Sequence, residues 1–192
     1  GNNGAIDPTF NATIDNDYTN YTSPITVGIT DNFTNFSLVF DSQNRLYIAG
    51  KFTKYNNQAV NNIVRIGLDT NIDNTFNNFC KGFDGPVSII REFNDGKILC
   101  FGSFKRYNGI ESTYLIKLNQ DGSIDTSFTS YFGEIALSVL NNIYDILIQD
   151  DGKVLLVGRR SSSSTTYQNI LRYSGVEFKG ILRLNQNGTI DT

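Results

Sequence analysis

The chain has 192 residues and a formal net charge of −3, the wrong sign for a protein that binds the phosphates of DNA or RNA. It contains no histidine, which excludes the usual catalytic triads and most zinc sites and leaves only carboxylates for enzymatic chemistry. Hydrophobic residues make up 39% of the chain in strand-length runs, so the sequence predicts a folded protein without a membrane-spanning helix.

In chain order, the first recurring feature is the phrase Ile-Asp-x-x-Phe. It begins at Ile6, Ile72 and Ile124, and a fourth copy starts at Ile190 and runs to Thr192. The spacings between successive isoleucines are 66, 52 and 66 residues. Self-similarity at a period of roughly 50 residues is typical of repeat architectures, in which each repeat is one structural unit.

Each repeat also contains two apolar runs joined by a tight turn. The three copies read FSLVFDSQNRLYIAG, VSIIREFNDGKILCFG and YDILIQDDGKVLLVG. The dipeptides Asp95-Gly96 and Asp151-Gly152 predict a β-hairpin with a type I′ turn, since that turn needs a positive φ at both central positions. Asn44 takes the place of the glycine in the first copy.

A short strand that ends in a cation follows each hairpin. The cation is Arg65, Lys117 or Arg183, and it precedes the aspartate of the Ile-Asp pair by eight residues in every copy. The third copy alone has an insertion before this strand, with a Ser/Thr run at residues 161–166. No segment shows helical periodicity over three turns, so the fold class is all-β, with about four strands in each unit. Units of this size and strand content are typical of β-propeller blades.

These features divide the chain into three blades and the end of a preceding blade. Residues 1–24 are assigned to the end of a preceding blade and a variable loop, and residues 25–76, 77–128 and 129–192 to blades 1, 2 and 3, the last cut at the next repeat junction. Propellers typically close with about four to eight blades. The sequence therefore predicts either a segment of a longer polypeptide or several copies that complete one ring, and the stop within GTIDT favours the segment.

The composite pattern resembles the delta-60 repeat family, a β-propeller-type repeat of bacterial secreted or surface proteins and bacteriophage tail proteins. The resemblance covers most of the chain, and the second copy carries it best. The first copy departs from it at 42–45 and 67–71, and the third lacks the Phe after Gly158. The matching residues of the second copy are Asp95, Gly96, Lys97, Gly102, Ser103 and Phe104, then Lys117, Leu118, Asn119, Asp121, Gly122, Ile124, Asp125 and Phe128.

The repeated aspartates and phenylalanines are expected to be fixtures of the fold. Each Asp is expected to accept hydrogen bonds from nearby backbone amides, and each Phe to fill the space between adjacent blades. These residues are Asp7, Phe10, Asp73, Phe76, Asp125, Phe128 and Asp191. A calcium loop is the alternative for NQDGSID and NQNGTID, but Asn187 replaces Asp121 and no bidentate Glu follows. We expect no metal and no cofactor.

The candidate binding residues include a basic residue followed by a tyrosine, which comes shortly after the predicted hairpin. The pair occurs in FxKYN in the first copy and in FxRYN in the second. Stacked repeats would place these residues side by side on one rim, where Tyr offers a flat apolar face to a carbohydrate or protein. The alternative is a turn with solvated cations. The variable loops at 11–35 and 159–180, rich in Ser, Thr, Asn and Tyr, are further candidates for binding. The candidate binding residues are Lys54, Tyr55, Arg106, Tyr107, Tyr167 and Tyr173.

A carboxylate-based glycoside hydrolase is the remote enzymatic alternative. It needs two carboxylates at a defined separation, and no motif surrounds the non-repeated candidates Glu92, Glu111, Glu134 and Glu177. Cys80 and Cys100 are too few for a disulfide framework, and Cys100 is expected to behave as a small apolar strand residue.

The resemblance implies a non-enzymatic scaffold or recognition module, associated with a bacteriophage tail and involved in assembly or in contact with the host surface. Its partners would be other virion or surface proteins, or a cell-surface glycan, with no nucleic acid and no membrane insertion. The expected location is the virion. The alternative is a secreted or surface-exposed bacterial propeller that binds glycan or protein.

Overall fold

The computed structural model describes residues 34–77, 82–132, 143–158, 172–178 and 180–192. In these ranges every regular element is a β-strand, as the sequence predicts. The same ranges contain no helix that is long and apolar enough to cross a membrane.

Each repeat builds one sheet of three antiparallel strands, with the middle strand of the sheet second in chain order. Blade 1 consists of β1 (Thr34–Phe40), β2 (Leu46–Lys51) and β5 (Ile63–Ile66). Blade 2 consists of β6 (Val87–Glu92), β7 (Ile98–Gly102) and β10 (Leu115–Leu118). Blade 3 consists of β11 (Ile143–Ile148), β12 (Val154–Gly158) and β15 (Ile181–Leu184).

The predicted fourth strand is reduced to a single β-bridge. After the third strand the chain turns back, and Ile72, Ile124 and Ile190 each bridge to the last residue of that strand. Each repeat also forms a separate two-stranded hairpin between its second and third main strands. These short hairpins are β3 (Lys54–Tyr55) with β4 (Gln58–Ala59), β8 (Arg106–Tyr107) with β9 (Ile110–Glu111), and β13 (Arg172–Tyr173) with β14 (Val176–Glu177).

The turn between the first two strands differs from the predicted type. Asn44, Gly96 and Gly152 have φ angles of 59°, 77° and 76°, but the residue before each has no positive φ. Each of the three donates its N–H to the carbonyl three residues earlier, at 2.8–2.9 Å. This geometry is a type I turn followed by one left-handed residue, so the type I′ prediction is wrong. The Asp-Gly signal located the hairpin correctly, because both turn types favour that dipeptide.

The blades pack side by side, with β6 in contact with β1 on one side and with β11 on the other. Alternate residues of β7 point to opposite sides, as expected for a strand buried on both faces. Ile98 and Cys100 pack towards blade 1, while Leu99 and Phe101 pack towards blade 3. Cys100 is a free thiol, and burial raises its pKa. We call the side of a blade that faces the preceding blade its front face, and the opposite side its back face.

Candidate functional site

The repeated aspartate is held by two cations in each blade. Asp73 Oδ2 lies 2.8 Å from Arg65 Nε and 3.3 Å from Arg45 Nη1. In blade 2, Asp125 Oδ2 lies 3.0 Å from Lys97 Nζ and 3.7 Å from Lys117 Nζ. In blade 3, Lys153 and Arg183 contact Asp191. We call each group of three an Asp–cation cluster.

Two turns of the chain assemble each cluster. The hairpin turn brings the first cation to the start of the second strand, beside the third strand. The next turn then folds the aspartate back onto the strand cation, so that the Asp125 N–H donates to the Lys117 carbonyl at 2.9 Å. The same backbone bond joins Asp73 to Arg65 at 2.8 Å. The constant eight-residue spacing in the sequence is therefore the length of this turn.

The other carboxylate oxygen of the aspartate caps the local backbone. Asp125 Oδ1 accepts from the Ser127 N–H at 3.0 Å and from the Ser127 hydroxyl at 2.6 Å, and Asp73 accepts the equivalent pair from Thr75. Burial acts to raise the pKa of Asp125, but the hydrogen bonds from Ser127 and Lys97 outweigh it and lower the pKa to about 2. This carboxylate is therefore ionised at neutral pH and unsuited to donate a proton.

Arg65 extends its cluster across the interface between blades 1 and 2. Its guanidinium donates to the Tyr47 hydroxyl at 2.8 Å and to the Gln120 carbonyl of blade 2 at 2.7 Å. The guanidinium carbon also lies 5.0 Å from the ring centre of Phe76. The side chain is only 1% exposed. In blade 2, Lys117 takes this place and its Nζ lies 3.9 Å from the ring centre of Phe93.

Backbone contacts repeat at both interfaces between blades. The Asn77 N–H donates to the Asp121 carbonyl at 2.9 Å, and the Thr129 N–H donates to the Asn187 carbonyl at 3.0 Å. A Cβ at Gly188 would lie 2.1 Å from the Thr129 carbonyl oxygen, so only glycine permits this approach. The structure places Phe76 in the core between blades 1 and 2, and Phe128 in the core between blades 2 and 3.

Turn chemistry accounts for the two segments that resemble a metal loop. Asp121 Oδ1 accepts from the N–H and hydroxyl of Ser123, and Asn187 Oδ1 accepts the same two bonds from Thr189. An amide oxygen and a carboxylate oxygen serve equally well here, which explains why Asn replaces Asp. The described ranges contain no cluster of three or more His, Cys, Asp or Glu that could hold a metal ion.

The structure contradicts the prediction that Tyr55, Tyr107 and Tyr173 present their rings to a ligand. All three rings are buried. Each hydroxyl donates at 2.7 Å to a carbonyl of the turn that precedes the Ile-Asp pair of its own repeat; the acceptors are Thr70, Gly122 and Gly188. The tyrosines therefore fasten the short hairpins to the blades.

The cations next to these tyrosines are exposed. Lys54 and Arg106 lie on the first strands of their short hairpins, and Arg172 occupies the same place in blade 3. The sequence reasoning missed Arg172 because the insertion in blade 3 hides the alignment, although RYSG repeats the pattern of KYNN and RYNG. Arg106 and Arg172 lie opposite Glu111 and Glu177 in their hairpins.

A polar groove of about 330 Å³ lies beside the blade 1–blade 2 interface. Its walls already hydrogen-bond to one another, since the Asn108 side-chain amide donates to Asn77 Oδ1 at 2.8 Å. Its lining residues are Asn74, Thr75, Asn77, Asn108, Asp121, Gly122 and Ser123.

The remaining candidates are dispersed or lie outside the described residues. Glu92 is on the first strand of blade 2, where burial raises its pKa and the Ser42 N–H donates to it at 3.3 Å. Glu111 and Glu177 lie on short hairpins of different blades. Outside the described residues lie Asp7, Phe10, Cys80, Glu134, Tyr167, the loop at 11–33 and most of the loop at 159–180.

Comparison with known families agrees with this architecture. A family model described as a β-propeller domain of unknown function, DUF5122, matches residues 43–76, 94–128 and 149–192, more than half of the chain. No curated protein and no solved structure matched the chain.

Proposed function

Because the chain belongs to the DUF5122 β-propeller family, we propose that it is a non-enzymatic scaffold that binds a partner through one rim of its blades. The observation that carries the proposal is the repetition of an exposed cation on three short hairpins, at Lys54, Arg106 and Arg172. Every hairpin lies between the second and third main strands in chain order and is bonded to the turn after the third strand, so the three cations occupy equivalent positions on their blades.

The hairpins have the properties of a recognition surface on a rigid base. A buried tyrosine fastens each one, which reduces the ordering cost of binding. Next to the cations, Ile110 and Val176 expose apolar side chains. Such a mixture of charged and aliphatic groups suits a protein surface or a glycan better than a small apolar ligand.

The repeated aspartates support a scaffold over an enzyme. A catalytic acid or base needs a pKa near the working pH and access to substrate. Asp73, Asp125 and Asp191 are instead paired with cations, and hydrogen bonds and cations lower the pKa of each. Their oxygens hold together turns and strands in every repeat, a use that a single catalytic site would not require.

The resemblance to delta-60 repeats supports a finer proposal for location and partner. In it the chain is part of a bacteriophage tail and contributes to assembly or to contact with the host surface. A bacterial surface protein that binds glycan or protein is the second candidate, favoured by the polar groove beside Asn108, whose amide and hydroxyl groups suit a sugar.

Binding to bacterial cells and to an array of purified bacterial surface polysaccharides tests the rim. We expect a variant with Lys54→Ala, Arg106→Ala and Arg172→Ala to lose at least about tenfold in affinity for whichever probe the wild type binds. Its melting temperature should stay close to that of the wild type, because all three side chains are exposed. The control removes two other exposed cations, with Lys51→Ala and Lys105→Ala, and is compared with the double variant Lys54→Ala, Arg106→Ala, which loses the same charge. Equal binding by the triple variant and the wild type would rule out the rim as the binding surface.

Immunogold labelling with an antibody against the chain separates the two locations. Label on the tails of released particles supports the virion, and label on intact cells that release no particles supports the bacterial surface. Label confined to the cell interior would contradict both.

A further inference from the structure

The back face of blade 3 is an uncovered copy of a surface that is buried twice elsewhere in the chain. Ile181 occupies the place of Ile63 and Leu115, which are 3% and 2% exposed, yet Ile181 is 65% exposed. Arg183 occupies the place of Arg65 and is 50% exposed. Leu147 is a third exposed residue, and we define the back face of blade 3 by Leu147, Ile181 and Arg183.

The front face of blade 1 shows the complementary pattern. Leu38 takes the place of Ile90, which is buried between blades 1 and 2, but Leu38 is 47% exposed. Phe36 and Phe40 lie on the same side of β1 and are also exposed. Leu68 is a fourth exposed apolar residue, in the turn that precedes the Ile-Asp pair. These four residues define the front face of blade 1.

We propose that the back face of blade 3 binds the front face of blade 1 in a second copy of this chain, and that Arg183 donates to the Leu68 carbonyl of that copy. The contact would reproduce the interface between blades 1 and 2. There Arg65 donates to the Gln120 carbonyl at 2.7 Å, and Leu68 occupies the position of Gln120 in blade 1. The proposal does not depend on the function of the rim.

The back face also lacks the polar partners that the equivalent groups have. Arg65 has an acceptor from the following blade, whereas among the described residues the hydrogen bond of Arg183 is to Asp191 of its own blade. A docked copy would supply polar groups to a surface that is otherwise incompletely satisfied.

The number of blades in two copies is compatible with a closed ring. A head-to-tail contact joins two different faces of the chain and makes a ring when the rotation between units closes. Two copies supply six blades, within the range of about four to eight in which propellers close. Each copy would then bury both of its exposed apolar faces against the other.

Complementation between two single-face variants tests the proposal. Ile181→Glu places a charge on the back face, and Leu38→Lys places one on the front face. We expect analytical ultracentrifugation at micromolar concentrations to show a wild-type dimer and two monomeric variants. An equimolar mixture of the variants should form a dimer again, since the intact front face of one meets the intact back face of the other.

Val176→Glu is the matched control, because it places the same charge at an exposed apolar residue on a short hairpin, and it should remain a dimer. Circular dichroism should show the same folded spectrum for all the variants. A monomeric wild type up to about 100 µM, a dimer of either single-face variant alone, or a mixture that stays monomeric would each overturn the proposal.

Discussion

The two ends of the blade array place the same kind of cation in different surroundings. Arg65 lies under blade 2 and reaches a tyrosine hydroxyl, a threonine hydroxyl and a carbonyl of the next blade, in addition to Asp73. Arg183 makes the equivalent pair with Asp191 on an open face. The salt bridge therefore forms within one blade, while its burial depends on the next blade. The Asp–cation cluster forms from residues of a single blade, and coverage by the next blade increases its contribution to the stability of the fold.

Replacement of the strand arginine at the two ends should give the largest contrast. We expect Arg65→Met to lower the free energy of unfolding by about 3–5 kcal/mol, because it leaves Asp73 and the Gln120 carbonyl without their buried donor. Arg183→Met should cost about 1 kcal/mol or less, as exposed ion pairs do. Urea unfolding, at a concentration where the chain is monomeric, measures both.

If Arg183→Met lowers the free energy of unfolding as much as Arg65→Met does, the cluster itself provides the stability, and coverage by the next blade does not. Lys51→Met is the control for loss of an exposed cation, and its cost should resemble that of Arg183→Met.

Acid should weaken the covered cluster of blade 2 by protonating Asp125. Its pKa is about 2 in the folded chain, below the ordinary value of 3.8, so the carboxylate stabilises the fold above pH 4. That stabilisation is lost as the pH falls through the folded pKa, and linkage converts the difference to about 2 kcal/mol. We expect urea unfolding to show this loss between about pH 4 and pH 2.

Asp125→Asn should flatten this part of the pH profile. The other repeated aspartates also have lowered pKa values, so a slope with the same sign should remain. Parallel profiles for the wild type and Asp125→Asn would assign the acid sensitivity to other groups.

The tyrosine hydroxyls should be insensitive to whether another blade follows their own. Tyr107 and Tyr173 donate within their own blades, to Gly122 and Gly188, at the same distance of 2.7 Å. We expect Tyr107→Phe and Tyr173→Phe each to cost about 1–2 kcal/mol, since each leaves a buried carbonyl without its donor. Thermal unfolding measures both, and a cost that differs more than twofold would show that coverage by the next blade reaches these hydrogen bonds as well.

The sequence predicted the features of the fold that rest on local patterns. Strand-length apolar runs and tight turns indicated an all-β repeat, and the constant eight-residue spacing between Lys117 and Asp125 marked a feature that recurs in every copy. The turn type was missed because Asp-Gly suits both type I′ turns and type I turns with a left-handed residue. The fourth strand was overestimated, because the residues around Ile124 form only one bridge.

The candidate binding residues were harder to predict because exposure is a property of packing in space. Tyr107 and Arg106 are neighbours in the chain, but they point to opposite sides of a strand, so one is buried and the other exposed. Nothing in the sequence showed that the Tyr hydroxyl would find a carbonyl 15 residues away. The partnership of Lys97 with Asp125 likewise depends on pairing between strands that are distant in the chain.

The smallest expected effect concerns a turn in which blade 1 departs from the other blades. Thr70 has a φ of 63°, a left-handed conformation that costs a β-branched residue about 1–2 kcal/mol, whereas Gly122 and Gly188 occupy this place without that cost. Glycine also loses more backbone entropy on folding, so the net gain from Thr70→Gly should be about 0.5–1 kcal/mol. Thr70→Ala, which keeps a Cβ but removes the branch, should recover only part of it. A higher melting temperature for the glycine variant than for the alanine variant would show that blade 1 retains a strained turn, because its tyrosine anchor requires only the backbone carbonyl of residue 70.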